Sequence, residues 1–381
     1  MNEQQTFISD KPAAKTIVHV LDSLEVGGLE RTVVRLAIAQ KESGDQVQVI
    51  TLFANGPLAV PLTQAGIKIT CVNKKNGLDL PAIKKIRKVI SNGVEIIHSH
   101  NVLPHYYATM ASLGIKVRRI STRHDMGVHL KGKRMQFLYS LSLHKTHSVV
   151  SVCEAAKTRF VKDKIIPEEM ITVIYNGIPA LHSRIDPSKT YSERRQHLKL
   201  PASGPIVGSI GRLNAVKDYG TLIAAFKEVL NNYPDAKLVI AGDGPERNKL
   251  QAQIEELAIS DKVTLLGERH DVEDLLEQFD IFALTSLTEG FSVALVEAAW
   301  TGLPIVATDV GGNCEIVQDG ITGYLTEPGN VPDVTQKIEK LLNDDQLRQS
   351  FGLLNRSRAE ANWTLEKMRK RYQFVYQKTV D

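Results

Sequence analysis

None of the 381 residues fall in an uncharged apolar run near the ~18 that a membrane span requires. The opening residues Met1-Asn2-Glu3-Gln4-Gln5-Thr6-Phe7 lack the basic region and apolar stretch of a secretory leader, so a cytosolic chain is expected. Cysteine is scarce. Cys71, Cys153 and Cys314 are odd in number and far apart, which argues against disulfides or a cysteine zinc site and for reduced thiols. No Asp-x-Asp triplet occurs, the usual cradle for a divalent ion on a nucleotide diphosphate. Gly-x-Gly-x-x-Gly is missing after the first strand of either half, which weighs against a nicotinamide-dependent dehydrogenase.

The length exceeds one ordinary core and implies two domains of roughly 150 to 200 residues. Charge divides unevenly: 26 Lys and Arg against 15 Asp and Glu up to residue 190, then 21 against 28. The basic first half is expected to meet something anionic, either an acceptor carrying phosphate or an acidic bilayer. Lys84, Lys85, Arg87 and Lys88 interleave with Leu80, Ile83, Ile86, Val89 and Ile90 at helical spacing, a pattern that a solvated face also explains. Lys131, Lys133 and Arg134 beside Met135, Phe137 and Tyr139 suit a membrane interface. No nucleic-acid partner is expected.

Short apolar runs alternate with helical patterns. Residues 17 to 21 form a strand, Gly27-Gly28 a turn, and the next helix runs through Ala39; Val47 to Phe53, Val94 to Ser99, Arg119 to Thr122 and Ser148 to Val152 are further strands. From about Asn176 to Pro205 the pattern dissolves into Pro, Gly, Ser and charge, which marks a junction. Alternation restarts at Ile206 to Ile210 and continues through strands at Lys237 to Ala241, Val263 to Leu266, Ile281 to Leu284 and Pro304 to Ala307. The expected fold is α/β, two doubly wound parallel sheets facing each other across a ligand cleft at their carboxyl ends. The N-terminal tail through Lys15 is polar and aperiodic, and is read as disordered.

Ser286 to Ala298 puts Glu289 and Glu297 on either side of a turn that opens an apolar helix. One acid can accept from sugar hydroxyls and the other from a ribose, while the amides of Gly290, Phe291 and Ser292 face the same space. The plainer alternative is a helix capped by Thr288 or Ser292 with solvated acids. Arg212 leaves the end of a strand and Lys217 precedes a helix, so both can converge on a diphosphate; the alternative is pairing with Asp218 or Glu289. His98 and His100 end a strand two residues apart, on one side of it, with no third metal ligand evident, and no metal site is assigned.

These residues carry a resemblance. Gly211-Arg212 with Lys217 and Asp218, Ala241-Gly242-Asp243-Gly244-Pro245, Glu289-Gly290-Phe291 with Glu297, and Gly311-Gly312 with Glu315 closely resemble the retaining glycosyltransferases of family 4, which have the GT-B fold. Gly27-Gly28-Leu29-Glu30 is similar to that family's first glycine loop. The resemblance implies two Rossmann-like domains, 1–183 on the acceptor side and 184–361 on the nucleotide-sugar side, with a C-terminal helix near 362–381 packing back on the first. It implies catalytic roles for His124, Glu289, Arg212 and Lys217, and donor contacts from Gly27, Gly28, Gly267, Gly290, Phe291, Ser292 and Glu297. Ser292-Val293-Ala294 departs from the proline-containing version of relatives and leaves donor choice open.

The activity expected from this resemblance is that of a metal-independent, cofactor-free transferase that retains anomeric configuration. It would move a hexose or N-acetylhexosamine from a nucleoside diphosphate sugar, UDP-sugar ahead of GDP-sugar, to a glycan or polyprenyl-linked acceptor in bacterial surface polysaccharide assembly. Its place would be the cytoplasm, peripheral at the inner face of the membrane. A nucleotide-sugar epimerase and a non-catalytic sugar-nucleotide binding module are the alternatives.

Overall fold

The computed structural model describes residues 14–127, 133–180, 188 and 190–377. The polar tail through residue 13 and Lys131 of the second basic cluster lie outside them. The first half runs β1 (Thr16–Leu21), α1 (Gly28–Glu42), β2 (Gln46–Thr51), α2 (Ala59–Gln64), β3 (Lys68–Cys71), α3 (Leu80–Ile90), β4 (Ile96–His100), α4 (Val102–Ala111), β5 (Arg118–Arg123), α5 (Lys133–Leu143), β6 (Ser148–Ser151), α6 (Glu154–Lys162) and β7 (Ile171–Val173). The second runs α7 (Tyr191–His197), β8 (Ile206–Ile210), α8 (Tyr219–Val229), β9 (Lys237–Ala241), α9 (Arg247–Glu256), β10 (Val263–Gly267), α10 (Val272–Leu276), β11 (Ile281–Leu284), α11 (Val293–Thr301), β12 (Ile305–Thr308), α12 (Asn313–Ile316), β13 (Gly323–Thr326), α13 (Val331–Asn343) and α14 (Asp345–Asn362). A last helix, α15 (Leu365–Gln377), ends the described chain.

Two all-parallel sheets result, of order β3-β2-β1-β4-β5-β6-β7 and β10-β9-β8-β11-β12-β13. Both reverse direction of winding beside their first strand, between β1 and β4 and between β8 and β11. Such a reversal leaves a crevice beyond the carboxyl ends of the strands, because neighbouring connections there leave on opposite faces. Three strands escape the sequence pattern, β3, β7 and β13, and all three are edge strands of three or four residues. An edge strand is short and half-covered, so it lacks the continuous apolar run of β8 or β11.

The halves are not independent cores. One apolar cluster includes Val152, Cys153 and Phe160 together with Phe291, Leu295, Trp300 and Trp363. Another joins β1, β4, β5 and β6 to α15 through Ile17, Ile96, Ile120 and Val150 packed on Met368, Tyr372, Val375 and Tyr376. The C-terminal helix therefore crosses back onto the first sheet. Cys153 is buried and Cys71 and Cys314 are free thiols, as expected.

Candidate active site

The two helices that open on the cleft begin differently. α1 is preceded by Gly27, which has no side chain to accept from the first amides, whereas Ser292 caps α11 by accepting from Leu295 N at 3.5 Å. Both ends present partly positive N–H groups, and among the described residues the amides of Gly290, Phe291 and Ser292 donate to no protein acceptor. Between them lies a cavity of about 660 Å³, lined by Gly27 and Gly28 on one side and by Arg212, Lys217, Glu289 and Glu297 on the other.

Lys217 closes a single 3₁₀ turn that Asn214 caps by accepting from its amide. Its Nζ donates to Glu289 Oε1 at 2.5 Å, and Ser286 Oγ donates to the same oxygen at 2.7 Å. Lys217 is thus paired with Glu289, the alternative noted from the sequence, although both groups face the cleft. Arg212 behaves otherwise. It is exposed and makes no ion pair among the described residues, and its charge is felt at Glu30 of α1. Burial pushes the Glu30 carboxyl pKa up, and the Arg212 charge partly opposes that.

Glu297 is buried in α11, and its Oε1 accepts from Arg35 Nη2 of α1 at 3.0 Å. Sequence reasoning misses Arg35, because only the facing of two domains brings it there. Asn176 Nδ2 donates to the Phe291 carbonyl at 3.2 Å, a second cross-domain bond. The Phe291 ring is buried. It packs against Tyr175 and Trp363, leaving only the backbone for the cleft.

Gly267 is not among the residues that line the cavity. Its φ of 77° ends β10 and its carbonyl accepts from Gly242 N at 2.8 Å, while the neighbours Glu268 and Arg269 line the cavity in its stead. Glu315 does something the motif did not announce: its carboxylate accepts from Glu154 N and Ala155 N, both at 2.9 Å, at the start of α6 in the other half. An anion there offsets the partial positive charge of the helix end.

His124 follows β5 and lines the cavity. Its amide donates to Asn101 Oδ1 at 3.0 Å, and burial pushes its pKa down to about 4, so the ring is neutral near pH 7. The loop is anchored at its root. Arg123, fully buried, pairs with Asp125 at 2.9 Å and lies over the rings of Tyr139 and Phe160. That also corrects the expected interface cluster: Tyr139 is core, and only Phe137 of the two aromatic rings is exposed. The pair His98 and His100 gains a third imidazole, His19 of β1, with ligand atoms within 4.8 Å of one another. In the apolar run of β1 nothing marked it.

Two sheets of this order meeting at a cleft with these cations and acids define a glycosyltransferase of the GT-B architecture, and comparison with known proteins agrees. Residues 26–180 match the family model described as Glycosyltransferase Family 4, and residues 191–358 that described as Glycosyl transferases group 1. The chain belongs to the glycosyltransferases of family 4. Membership takes the place of the epimerase and binding-module alternatives. Among relatives, N-acetyl-alpha-D-glucosaminyl L-malate synthase of Bacillus anthracis is 27% identical over 78% of this chain and 78% of its own length. The capsular polysaccharide biosynthesis glycosyltransferase CapM of Staphylococcus aureus is 27% identical over 61% of this chain and 62% of its own. Among solved structures, HepE of Anabaena in complex with UDP-glucose superimposes with a TM-score of 0.85 at 24% identity, covering 94% of this chain and 99% of HepE.

Proposed function

We propose that the protein transfers a hexose or N-acetylhexosamine from a UDP-sugar to a glycan or lipid-linked acceptor with retention of anomeric configuration and without a metal ion. The observation that carries this reading is the convergence of Arg212, Lys217, Glu289 and Glu297 with two helix starts on one cavity. Arg212 and Lys217 would take the diphosphate, Lys217 exchanging Glu289 for a phosphate oxygen, and the helix amides would add fixed positive potential as charge builds on the leaving group. Glu289 would then be free to hold sugar hydroxyls, and Glu297, steadied by Arg35, to accept from the ribose. With the acceptor on the same face as the departing phosphate, that phosphate oxygen would assist its deprotonation. The absence of Asp-x-Asp supports the metal-free reading, since the cations above would supply the charge a metal provides elsewhere.

The donor sugar follows the relatives' names, which include an N-acetylglucosaminyl product and a complex with UDP-glucose. Surface polysaccharide assembly follows CapM and the basic first half. Membrane association is supported by exposed Leu78 and Leu80 beside exposed Lys84 and Lys88 of α3, and by exposed Phe137 and Leu141 on α5. Among the described residues no helix is long and apolar enough to cross a membrane. A small hydroxy acid is a second acceptor class, favoured by the malate-linked product of the Bacillus relative.

Thermal stabilisation by UDP-N-acetylglucosamine, UDP-glucose and GDP-sugars, followed by nucleotide release with membrane lipid extract, polysaccharide or L-malate, tests the reading. Stabilisation by a UDP-sugar and acceptor-dependent UDP release, insensitive to chelator, are the expected results. A protein stabilised by none of the donors would overturn it.

A further inference from the structure

The face of the first sheet covered by α15 carries a buried polar circuit. Register sets His19 of β1 beside His98 of β4, and His100, two residues on, beside Thr122 of β5, so the four side chains share one face. From this circuit a run of three hydrogen bonds leads to the cleft. Gln40 Oε1 is 2.7 Å from His19 Nε2, His19 Nδ1 is 3.0 Å from His100 Nε2, and His100 Nδ1 is 3.1 Å from His124 Nε2. The series ends at His124 Nδ1, which is buried without a partner among the described residues, in a residue that lines the cavity.

A neutral imidazole has one donor and one acceptor, so one choice at the far end of the run fixes every ring along it. Burial pushes the pKa of His19 and of His124 down to about 4 and lowers those of His98 and His100, which keeps the rings neutral. Gln40 makes the choice. Its Nε2 donates to Tyr376 Oη at 3.1 Å, and Tyr376 Oη, 2.8 Å from His98 Nδ1, is then placed to donate to that nitrogen. Gln40 Oε1 must then accept from His19 Nε2–H, His19 Nδ1 from His100 Nε2–H, and His100 Nδ1 from His124 Nε2–H. His124 Nδ1 is left with its lone pair. Turning the amide over reverses every bond and makes His124 Nδ1–H a buried donor without an acceptor, the rarer and costlier kind of orphan. The His19, His98 and His100 trio is close enough to ligate one ion, but each ring nitrogen already has a partner.

We propose that Gln40, His19 and His100 are positioning residues for the transfer reaction, holding His124 with its proton on Nε2 and a bare Nδ1 that accepts a hydrogen bond from a hydroxyl of a sugar substrate. The identity of that hydroxyl rests on the function proposed above; the proton order does not.

Nitrogen-15 spectra of the histidine side chains of the full chain test it, with His124 identified by the signals lost in His124→Asn. At pH 7 the native protein is expected to show His124 with Nε2–H and unprotonated Nδ1, and Gln40→Leu to show a mixture of the two tautomers. Tyr376→Phe, which removes the hydroxyl that orients Gln40, is expected to do the same and serves if Gln40→Leu does not fold. A native His124 protonated on Nδ1, an unchanged tautomer in the folded variants, or displacement of the His19, His98 and His100 signals by added zinc overturns the proposal. A protein that transfers no sugar yet shows this proton order supports the relay and refutes only the reaction.

Discussion

Arg35 Nη2 lies 3.0 Å from Glu297 Oε1, one residue from each half of the molecule. The Glu297 side chain is 6% exposed and that of Arg35 21%, so the pair sits where water screens it little. Removing Arg35 leaves a buried carboxylate unpaired, a change that costs more than the pair itself is worth. Arg35→Ala is expected to lose about 1.5 to 3 kcal/mol of stability and to weaken UDP-sugar binding, with denaturant unfolding and titration as the checks. A variant of native stability and affinity would remove Arg35 from the account.

Gly290 supports the same junction through its lack of a side chain. A Cβ there would stand 2.2 Å from the carbonyl oxygen of His124, a backbone atom of the other half. Gly290→Ala must therefore push the His124 loop and the start of α11 apart. Transfer is expected to fall by roughly tenfold or more, because displacement of about 1 Å at reacting groups costs that much, while secondary structure stays native by circular dichroism.

Much of this architecture is legible in the sequence. The central strands β8, β9 and β11 read directly as apolar runs, and Arg212, Lys217, Glu289 and Glu297 can be placed at strand ends and a helix start by their neighbours. What stays hidden depends on pairing at long range. Arg35 meets Glu297 across 262 residues, and Glu315 meets the α6 amides across about 160, distances over which no local pattern speaks. His19 is one polar letter in an apolar strand until parallel register sets it beside His98. Gly267 carries a left-handed φ at the end of β10, a turn requirement that the sequence does not distinguish from a ligand contact.

Acid should destabilise the first half. His19, His98, His100, His105 and His124 are buried with pKa values pushed down by desolvation, to about 4, about 3 and about 4 for His19, His105 and His124. Between pH 6.5 and 4 the unfolded chain binds these protons and the folded one does not, so stability falls as pH falls through that window. Each group contributes up to about 1.4 kcal/mol per pH unit. Urea midpoints measured from pH 7.5 to 4.5 should drop steadily, and a flat profile would contradict the burial of these rings.

Part of the basic face on α3 is already spent. Arg87 Nη1 donates to the carbonyls of Ala111 and Leu113, and Lys85 Nζ to that of Val72; among the described residues the exposed cations of the helix without such a bond are Lys84 and Lys88. Lys84→Glu with Lys88→Glu should weaken partitioning onto anionic vesicles by roughly thirtyfold or more, at about 1 kcal/mol per Lys lost, and Phe137→Ser should weaken it further. Equal binding by native and triply substituted protein would dismiss the membrane reading.

Titration of UDP-N-acetylglucosamine and UDP-glucose into the native protein and into Arg212→Ala decides whether the Arg212 guanidinium grips the donor diphosphate. Arg212 is exposed and unpaired among the described residues, so its loss should leave the melting temperature unchanged. The preferred donor is expected to bind the native protein and to lose affinity by roughly tenfold or more in the variant. Equal affinity in the two proteins would contradict it.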